Sequence, residues 1–177
     1  AEHFSDRVKN FFTINEPQCI VGLGYQTGEH APGLKVGPSD YFRIWHNVLK
    51  AHGRAVEALR EFSKQPVKIS MAPCGALYVP ETNKPEDIEA ARKANFSLPE
   101  NSSGACSWDV ALCCDPVYLG QYPEDILKEF GQFFPKVTDA DMKLISQPLD
   151  FFGQNIYNAV TVRAGEDGKA VRAARYD

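Results

Sequence analysis

The amino-acid sequence predicts an α/β protein, because a strand, a long amphipathic helix and a second strand follow one another in its first half. Phe11, Phe12 and Ile14 form a short apolar run that predicts a buried strand, and residues 67–71 predict a second one. Between them, apolar residues recur at helical spacing after Pro38. Because strands joined through a helix cross over right-handed and lie parallel, we expect the two strands to form a parallel pair.

The first helix has clear boundaries in the sequence. Ser39 or Asp40 is expected to cap its N-terminus after Pro38, and the helix must end before Pro66. Its apolar positions predict the face that packs on the sheet: Tyr41, Ile44, Val48, His52, Ala55, Leu59 and Phe62.

The middle of the chain is less regular. Residues 85–94 predict a helix whose first turn carries favourable acidic residues, and the polar residues 95–104 predict a surface loop. A short helix is expected over residues 108–113, where Trp108 is interpreted as a core residue. Another helix is expected over residues 123–130.

The C-terminal third combines a capped helix with further strands. Residues 138–141 resemble a capping box, with Asp in place of the usual Glu. Residues 149–157 predict a third buried strand. Residues 159–173 predict a hairpin with its turn at residues 165–168.

Composition narrows the class of protein. The chain has 177 residues, 44% hydrophobic and 24% charged, which is typical of one globular domain over residues 1–177. The net charge of −4 argues against nucleic-acid binding, and no apolar run approaches the ~20 residues of a membrane span. The cysteines contain no Cys-x-x-Cys pair, so we expect reduced, buried thiols and a cytoplasmic location. They are Cys19, Cys74, Cys106, Cys113 and Cys114.

The most informative residues are Asn15 and Glu16, where the first apolar run stops. Pro17 has no backbone N–H, so it ends regular pairing, and it biases Glu16 toward extended geometry. We therefore expect Glu16 to be strand-like at the C-terminal end of a parallel strand. Catalytic groups of (β/α)₈ barrels occupy that end of the strands.

Four ordered segments carry a family resemblance. They are residues 13–17 (TINEP) followed by 24–33 (GYQTGEHAPG), residues 46–56 (HNVLKAHGRAV), residues 115–123 (DPVYLGQYP) and residues 150–157 (DFFGQNIY). In this order they resemble glycoside hydrolase family 1, the β-glucosidase family. The resemblance implies that the three predicted strands are the fourth to sixth of a (β/α)₈ TIM barrel. The chain would then be a fragment, an internal piece of the barrel.

The resemblance also implies roles for individual residues. Glu16 corresponds to the acid/base of a retaining β-glucosidase, and Asn15 to the asparagine that binds the sugar 2-hydroxyl. Asn155 and Tyr157 correspond to residues facing the −1 subsite, where the tyrosine orients the nucleophile. Gln18 stands where the family often has Trp, so we expect a more polar +1 subsite. The alternatives are a backbone turn bond for Asn15 and simple packing for Tyr157.

No residue of this chain is predicted to supply the second carboxyl group of the expected mechanism. Retaining glycosidases need two carboxyl groups about 5–5.5 Å apart. Apart from Glu16, no acidic residue lies at the C-terminal end of a predicted strand, and Asp150 is expected at the opposite end. Burial and a second carboxylate should raise the pKa of Glu16, less so without the nucleophile strand.

The first hypothesis is therefore an enzyme of the β-glucosidase type, acting on terminal β-D-glucosyl bonds of cello-oligosaccharides or aryl glucosides. It needs no cofactor or metal, and His30, His46 and His52 lack zinc-site spacing, so we interpret them as structural. The alternative is a non-catalytic partial barrel that pairs its open edges with the remaining barrel segments or with another copy. A sugar-binding module is a third hypothesis. Preference for glucosides over galactosides stays open.

Overall fold

The computed structural model of the chain describes residues 1–96 and 109–173. Its strands are β1 (Asn10–Asn15), β2 (Lys68–Ala72), β3 (Leu77–Pro80), β4 (Ala159–Ala164) and β5 (Ala170–Arg172). Its α-helices are α1 (Pro38–Phe62), α2 (Pro85–Phe96), α3 (Val110–Cys114), α4 (Glu124–Phe130) and α5 (Asp139–Ile145). Two π-helices, Cys19–Gln26 and Asp115–Leu119, and a 3-10 helix, Gly131–Phe133, lie between them. Among these residues, no helix has both the length and the apolar character to cross a membrane.

The predicted strand–helix–strand unit is confirmed. β1 and β2 pair in parallel, with Phe11 opposite Ile69, and α1 connects them. The predicted cap was wrong, since Gly37 is the N-cap and Pro38 occupies the first turn. Proline suits that position because its fixed φ is already helical and its missing N–H would have had no partner. The helix ends at Phe62, before Pro66, as expected.

The buried face of α1 is rotated from the predicted stripe. Ile44 and Val48 are only half-buried, and Phe62 is exposed. The residues that pack inward are Tyr41, Phe42, Trp45, His46, Leu49, His52, Gly53 and Val56. The rotation follows from the second layer of helices. A Cβ on Gly53 would collide with the carbonyl of Leu144, so α1 and α5 approach each other closely at this glycine.

Residues 149–157 do not form the buried third strand that was predicted. The segment runs alongside β2, where the Asp150 N–H bonds the Ile69 carbonyl (2.9 Å), and continues past the end of that strand, where the Asn155 N–H bonds the Pro73 carbonyl (2.8 Å). Phe152 is 58% exposed. No strand pairs with the segment's other edge in the described part of the chain, so a regular ladder does not form.

Close packing also shapes this segment. A Cβ on Gly153 would collide with the ring of Phe12 and lie 2.9 Å from the Met71 carbonyl. The same Phe12 ring meets Phe151 edge to face, with centroids 5.3 Å apart. Only a residue without a side chain fits between the aromatic ring and the backbone of β2.

A second, three-stranded sheet holds the C-terminal residues. The predicted hairpin is confirmed as the antiparallel pair of β4 and β5. β3, which the sequence reading missed, pairs in parallel with β4. Asp87 of α2 ties the helix to this sheet, because its carboxylate accepts the Ala164 N–H (2.8 Å) and the Thr82 hydroxyl (2.5 Å).

The other helices agree with expectation in most places. α2 extends to Phe96, so the predicted loop begins later than Asn95, and the rest of that loop lies outside the described residues, as does Trp108. α4 ends at Phe130 as predicted and begins one residue later than predicted, at Glu124, because Pro123 is its N-cap. The capping box of α5 is confirmed, since the Thr138 hydroxyl accepts the Asp141 N–H (3.1 Å) while the Asp141 carboxylate accepts the Thr138 N–H (3.1 Å).

The α/β architecture places one group of residues at a common edge. β1 and β2 are parallel, so their C-terminal ends lie side by side. Glu16 follows β1, and Cys74 follows β2 and bridges to Asn155. In the described part of the chain the strands do not close into a barrel, and this edge remains open.

Candidate active site

Glu16 departs from the extended geometry that was predicted for it. β1 ends at Asn15, and Glu16 has φ 47°, in the left-handed region that residues with a side chain rarely adopt. The chain turns sharply there to enter the helical residues that begin at Pro17. The Glu16 N–H still bonds the Ala72 carbonyl at 2.7 Å. Backbone of this kind costs about 1–3 kcal/mol and clusters at functional sites.

The Glu16 carboxylate accepts three side-chain hydrogen bonds. Its Oε1 accepts from Asn155 Nδ2 at 2.8 Å and from the Tyr157 hydroxyl at 2.9 Å. Its Oε2 accepts from Cys19 Sγ at 3.3 Å. Both carboxylate oxygens are therefore engaged by side chains that could turn toward another partner.

These contacts reverse the expected pKa shift. The Asn155 amide, then the Tyr157 hydroxyl and the Cys19 thiol, hold the pKa of Glu16 below its usual value, and partial burial opposes them only weakly. Among residues 1–96 and 109–173, no second carboxylate contributes to the shift. The expectation of a raised pKa was wrong for this chain, because donors surround Glu16 and no like charge faces it.

The sequence-predicted cluster comes together around Glu16. Asn155 Nδ2 also donates to Asn15 Oδ1 at 3.0 Å, so the two amides and the carboxylate form one network. Tyr157 is 80% exposed, and its hydroxyl holds it to Glu16. Its hydroxyl binds the acid/base candidate, whereas the family resemblance assigned it to a nucleophile. The substrate contacts of Asn15, Asn155 and Tyr157 stay predictions.

Gln18 was predicted to face the +1 subsite, but the structure buries it. Its side chain is 0% exposed, and its Oε1 accepts the Cys74 N–H at 3.2 Å. This position does not support the predicted contact with an aglycone. The residue instead joins the turn after β1 to the end of β2.

Two cysteines of the site escaped the sequence reading. Cys19 Sγ and Cys74 Sγ lie 4.0 Å apart, directly beside the Glu16 carboxylate. The residues are 55 positions apart, so no local spacing connects them. The only signal was positional, since each cysteine closely follows the end of a strand of the same parallel pair. The described cysteines are free thiols, and a cytoplasmic location stays a prediction.

Two of the three histidines that were considered as metal ligands make structural contacts. His52 Nδ1 lies 2.6 Å from the Thr13 hydroxyl and links α1 to β1, and burial lowers its pKa to about 4. His46 Nδ1 lies 2.9 Å from the Tyr122 hydroxyl. His30 is exposed. Asp150 lies at the opposite end of the strands from Glu16, as predicted, since it accepts the Ile69 N–H at 2.8 Å.

Comparison with known proteins identifies the family. The family model described as Glycosyl hydrolase family 1 matches residues 1–175. The chain belongs to glycosyl hydrolase family 1. It is 36% identical over 171 residues to β-glucosidase A of Thermotoga maritima, and 35% identical over 164 residues to a 1,4-β-D-glucan glucohydrolase of Thermotoga neapolitana. These matches cover 96% and 92% of this chain, but 35% of each relative.

Solved structures of the family confirm the fold class. The chain superposes with a TM-score of 0.72 on the β-glucosidase of Thermotoga maritima in complex with glucoimidazole, at 34% identity, covering 99% of this chain and 37% of that one. The same enzyme in complex with deoxynojirimycin also gives 0.72. The family 1 chain is thus part of a (β/α)₈ barrel. The chain spans about a third of the length of its relatives.

Proposed function

We propose that this family 1 chain supplies the acid/base half of a retaining β-glucosidase, with Glu16 as the acid/base. The observation that carries the proposal is the position of Glu16. It lies at the C-terminal end of a parallel strand, on strained backbone, and its carboxylate is held by Asn155 and Tyr157.

The proposed reaction has two steps. Glu16 first gives its proton to the glycosidic oxygen while a carboxylate nucleophile attacks the anomeric carbon, so the aglycone leaves and a glycosyl-enzyme forms. Glu16 then removes a proton from water, which displaces the nucleophile and releases the sugar. Asn15 would hold the 2-hydroxyl, where a hydrogen bond strengthens in the transition state.

The nucleophile has to come from outside the described residues. In this chain the donors lower the pKa of Glu16, which disfavours the protonated form that the first step needs. A second carboxylate nearby would raise its pKa, and the Tyr157 hydroxyl could then pass to that carboxylate. We therefore expect the chain by itself to be inactive and the assembled site to be active.

The proposed substrates are terminal β-D-glucosides, such as cello-oligosaccharides or aryl glucosides. Two observations support them. The relatives carry the names β-glucosidase and 1,4-β-D-glucan glucohydrolase, and the Thermotoga maritima enzyme has been solved with glucoimidazole. The polar side chains around Glu16 are amides and a phenol, which suit sugar hydroxyls.

A second candidate is a non-catalytic partial barrel, which the apolar surface beside the site favours. Phe12 is 54% exposed and Phe152 is 58% exposed, next to strand edges without partners in the described part of the chain. This surface would bind the remaining barrel segments or another copy of the chain. Sedimentation of the purified chain over a range of concentrations would detect self-association.

The decisive experiment is a chimera in which residues 1–175 replace the homologous third of the Thermotoga maritima β-glucosidase A. Glu16→Gln should slow cleavage of cellobiose by about 10²–10⁴-fold, because its alcohol leaving group needs protonation. An aryl glucoside with an acidic phenol should lose far less in the glycosylation step. Added azide should restore turnover and yield the glucosyl azide, since azide needs no general base.

The matched control is Asp150→Asn, a carboxylate-to-amide change at the opposite end of the strands. It should leave the dependence on the leaving group unchanged. Equal losses on both substrates in Glu16→Gln, with no effect of azide, would contradict the acid/base role. Activity of the isolated chain on either substrate would contradict the proposed division of the site.

A further inference from the structure

Three potential metal ligands from two strand ends lie together in the site. Cys19 Sγ is 3.3 Å from Glu16 Oε2 and 4.0 Å from Cys74 Sγ. All three donor atoms lie within 4.8 Å of one another. The catalytic role proposed for Glu16 uses neither thiol, so the arrangement of two sulfurs and one oxygen has no explanation in that role.

The two separations from Cys19 Sγ are close to those of a tetrahedral ion. Zinc binds thiolate sulfur at about 2.3 Å and carboxylate oxygen at about 2.0–2.2 Å, so donors in a tetrahedron lie about 3.5–3.8 Å apart. The observed 3.3 Å and 4.0 Å bracket that range. Shifts of a few tenths of an ångström would bring the side chains of Cys19 and Cys74 onto one ion.

We propose that Cys19, Cys74 and Glu16 form a binding site for a thiophilic divalent cation of the zinc or cadmium type. Three protein ligands leave a fourth position for solvent. The exposed Tyr157 side chain and the half-buried Glu16 mark the side from which an ion and its water can enter.

The surroundings already hold the ligands in place. The backbone N–H of Cys19 bonds the Glu16 carbonyl at 2.9 Å, and the N–H of Cys74 bonds Gln18 Oε1 at 3.2 Å. Asn155 and Tyr157 both occupy Glu16 Oε1, so Oε2 is the oxygen that faces the thiol. Outer contacts of this kind orient ligands and strengthen metal binding.

Proton release should accompany binding. Burial raises the pKa of the Cys74 thiol to about 12, and it also raises the pKa of Cys19. A bound cation reverses this preference and deprotonates coordinating thiols. Each of the two coordinating thiols gives up its proton, so each ion bound should displace two protons into solvent. Affinity should therefore rise with pH.

The site would also act as an inhibitory switch. A cation on Oε2 prevents Glu16 from carrying a proton to the glycosidic oxygen or taking one from water. This consequence, unlike the binding itself, rests on the proposed function. Metal binding to the chain and metal inhibition of the chimera are separate measurements, so one idea can fail without the other.

The test is a titration of the reduced chain with Cd²⁺, followed by thiolate-to-metal charge-transfer absorption, with Zn²⁺ binding measured by calorimetry. One equivalent should bind with the absorption of two thiolates. Calorimetry in buffers of different ionisation enthalpy should report two protons released. Cys19→Ser and Cys74→Ser should each halve the absorption and weaken binding by at least about tenfold, and Glu16→Gln should weaken binding while keeping the absorption.

The matched control is Cys114→Ser, because Cys114 is a half-buried free thiol outside the cluster. It should leave binding unchanged. Circular dichroism of each variant checks folding, and Cys19→Ser decides the matter if the more buried Cys74→Ser unfolds. Cadmium binding that survives Cys19→Ser unchanged, or that is lost in Cys114→Ser, would overturn the proposal.

Discussion

Glu16 and Asp150 are two carboxylates at opposite ends of the same pair of strands, and they are held in different ways. In the described part of the chain, the Glu16 carboxylate accepts its hydrogen bonds from side chains, those of Asn155, Tyr157 and Cys19. Asp150 accepts the backbone N–H of Ile69, which belongs to a fully buried residue. One end of the sheet is open and strained, and the other is fixed to the backbone.

The end of the strands that is suited to chemistry and the end that stabilises the sheet are thus only about five residues apart. Side-chain donors around Glu16 can change partners when a substrate, a second carboxylate or a cation arrives. The Ile69 N–H has no such freedom, because no water reaches it and its partner must be Asp150. We therefore expect substitutions at the two ends to be measured by different experiments.

The largest effect on stability is expected at the Asp150 end. Asp150→Ala leaves the buried Ile69 N–H without an acceptor and should lower the free energy of unfolding by about 1–3 kcal/mol. Glu16→Ala should stay within about 0.5 kcal/mol, since water can serve the donors it releases. Urea unfolding of both variants measures the contrast. Asp150→Asn, which keeps an acceptor oxygen, is the control, and equal losses at both ends would contradict the comparison.

The second effect should have the opposite sign. Glu16→Gly removes the penalty of a side chain at φ 47° and should raise the free energy of unfolding by about 1 kcal/mol. The variant has no acid/base group, so stability and activity would move in opposite directions. Glu29→Gly, in the loop that follows, provides a control without this backbone strain. A Glu16→Gly variant that unfolds more easily than the wild type would refute the strained backbone.

A smaller effect concerns a third carboxylate, Asp141, which joins α5 to α1. The Lys50 ammonium at 2.5 Å and the Thr138 hydroxyl lower its pKa. The stabilisation is therefore complete above the unfolded-state pKa near 4 and is lost as the pH falls toward the folded value. Asp141→Asn should be less stable than the wild type at pH 7, and the two should converge at low pH. Asp139→Asn is the control, and a constant difference across pH would argue against the ion pair.

The smallest expected change is a shift in one titration. Tyr157→Phe removes a donor to Glu16, and Asn155→Ala removes the larger one, so both should raise the Glu16 pKa, Asn155→Ala more. NMR detection of the Glu16 side-chain carboxyl carbon during a pH titration measures this directly. Tyr78→Phe, on β3, should leave the value unchanged. A fall in the pKa of Glu16 in either variant would contradict the hydrogen-bond network.

Much of this fold could be predicted because local rules act within one segment. The parallel strand–helix–strand unit follows from periodicity, and the capping box at Thr138 follows from side-chain spacing. The third strand was over-predicted because an apolar run does not reveal whether both its edges find partners. β3 was missed because it is four residues long and ends in Pro80.

The site was predictable in its residues but not in its electrostatics. Sequence motifs identified Glu16 and the side chains that gather around it. The left-handed backbone of Glu16, the burial of Gln18 and the thiol pair depend on how the ends of two strands meet, and sequence spacing does not encode that. The lowered pKa followed from three donors whose aim could not be known before folding.

Gly153 shows how a residue without a side chain can constrain the evolution of this site. The ring of Phe12 fills the space where its Cβ would stand, and Asn155 follows two positions later. A single methyl group there must push either the ring or the chain, and the chain leads directly to the amide that holds Glu16. A lineage could therefore lose the alignment of its acid through a mutation that touches neither sugar nor carboxylate.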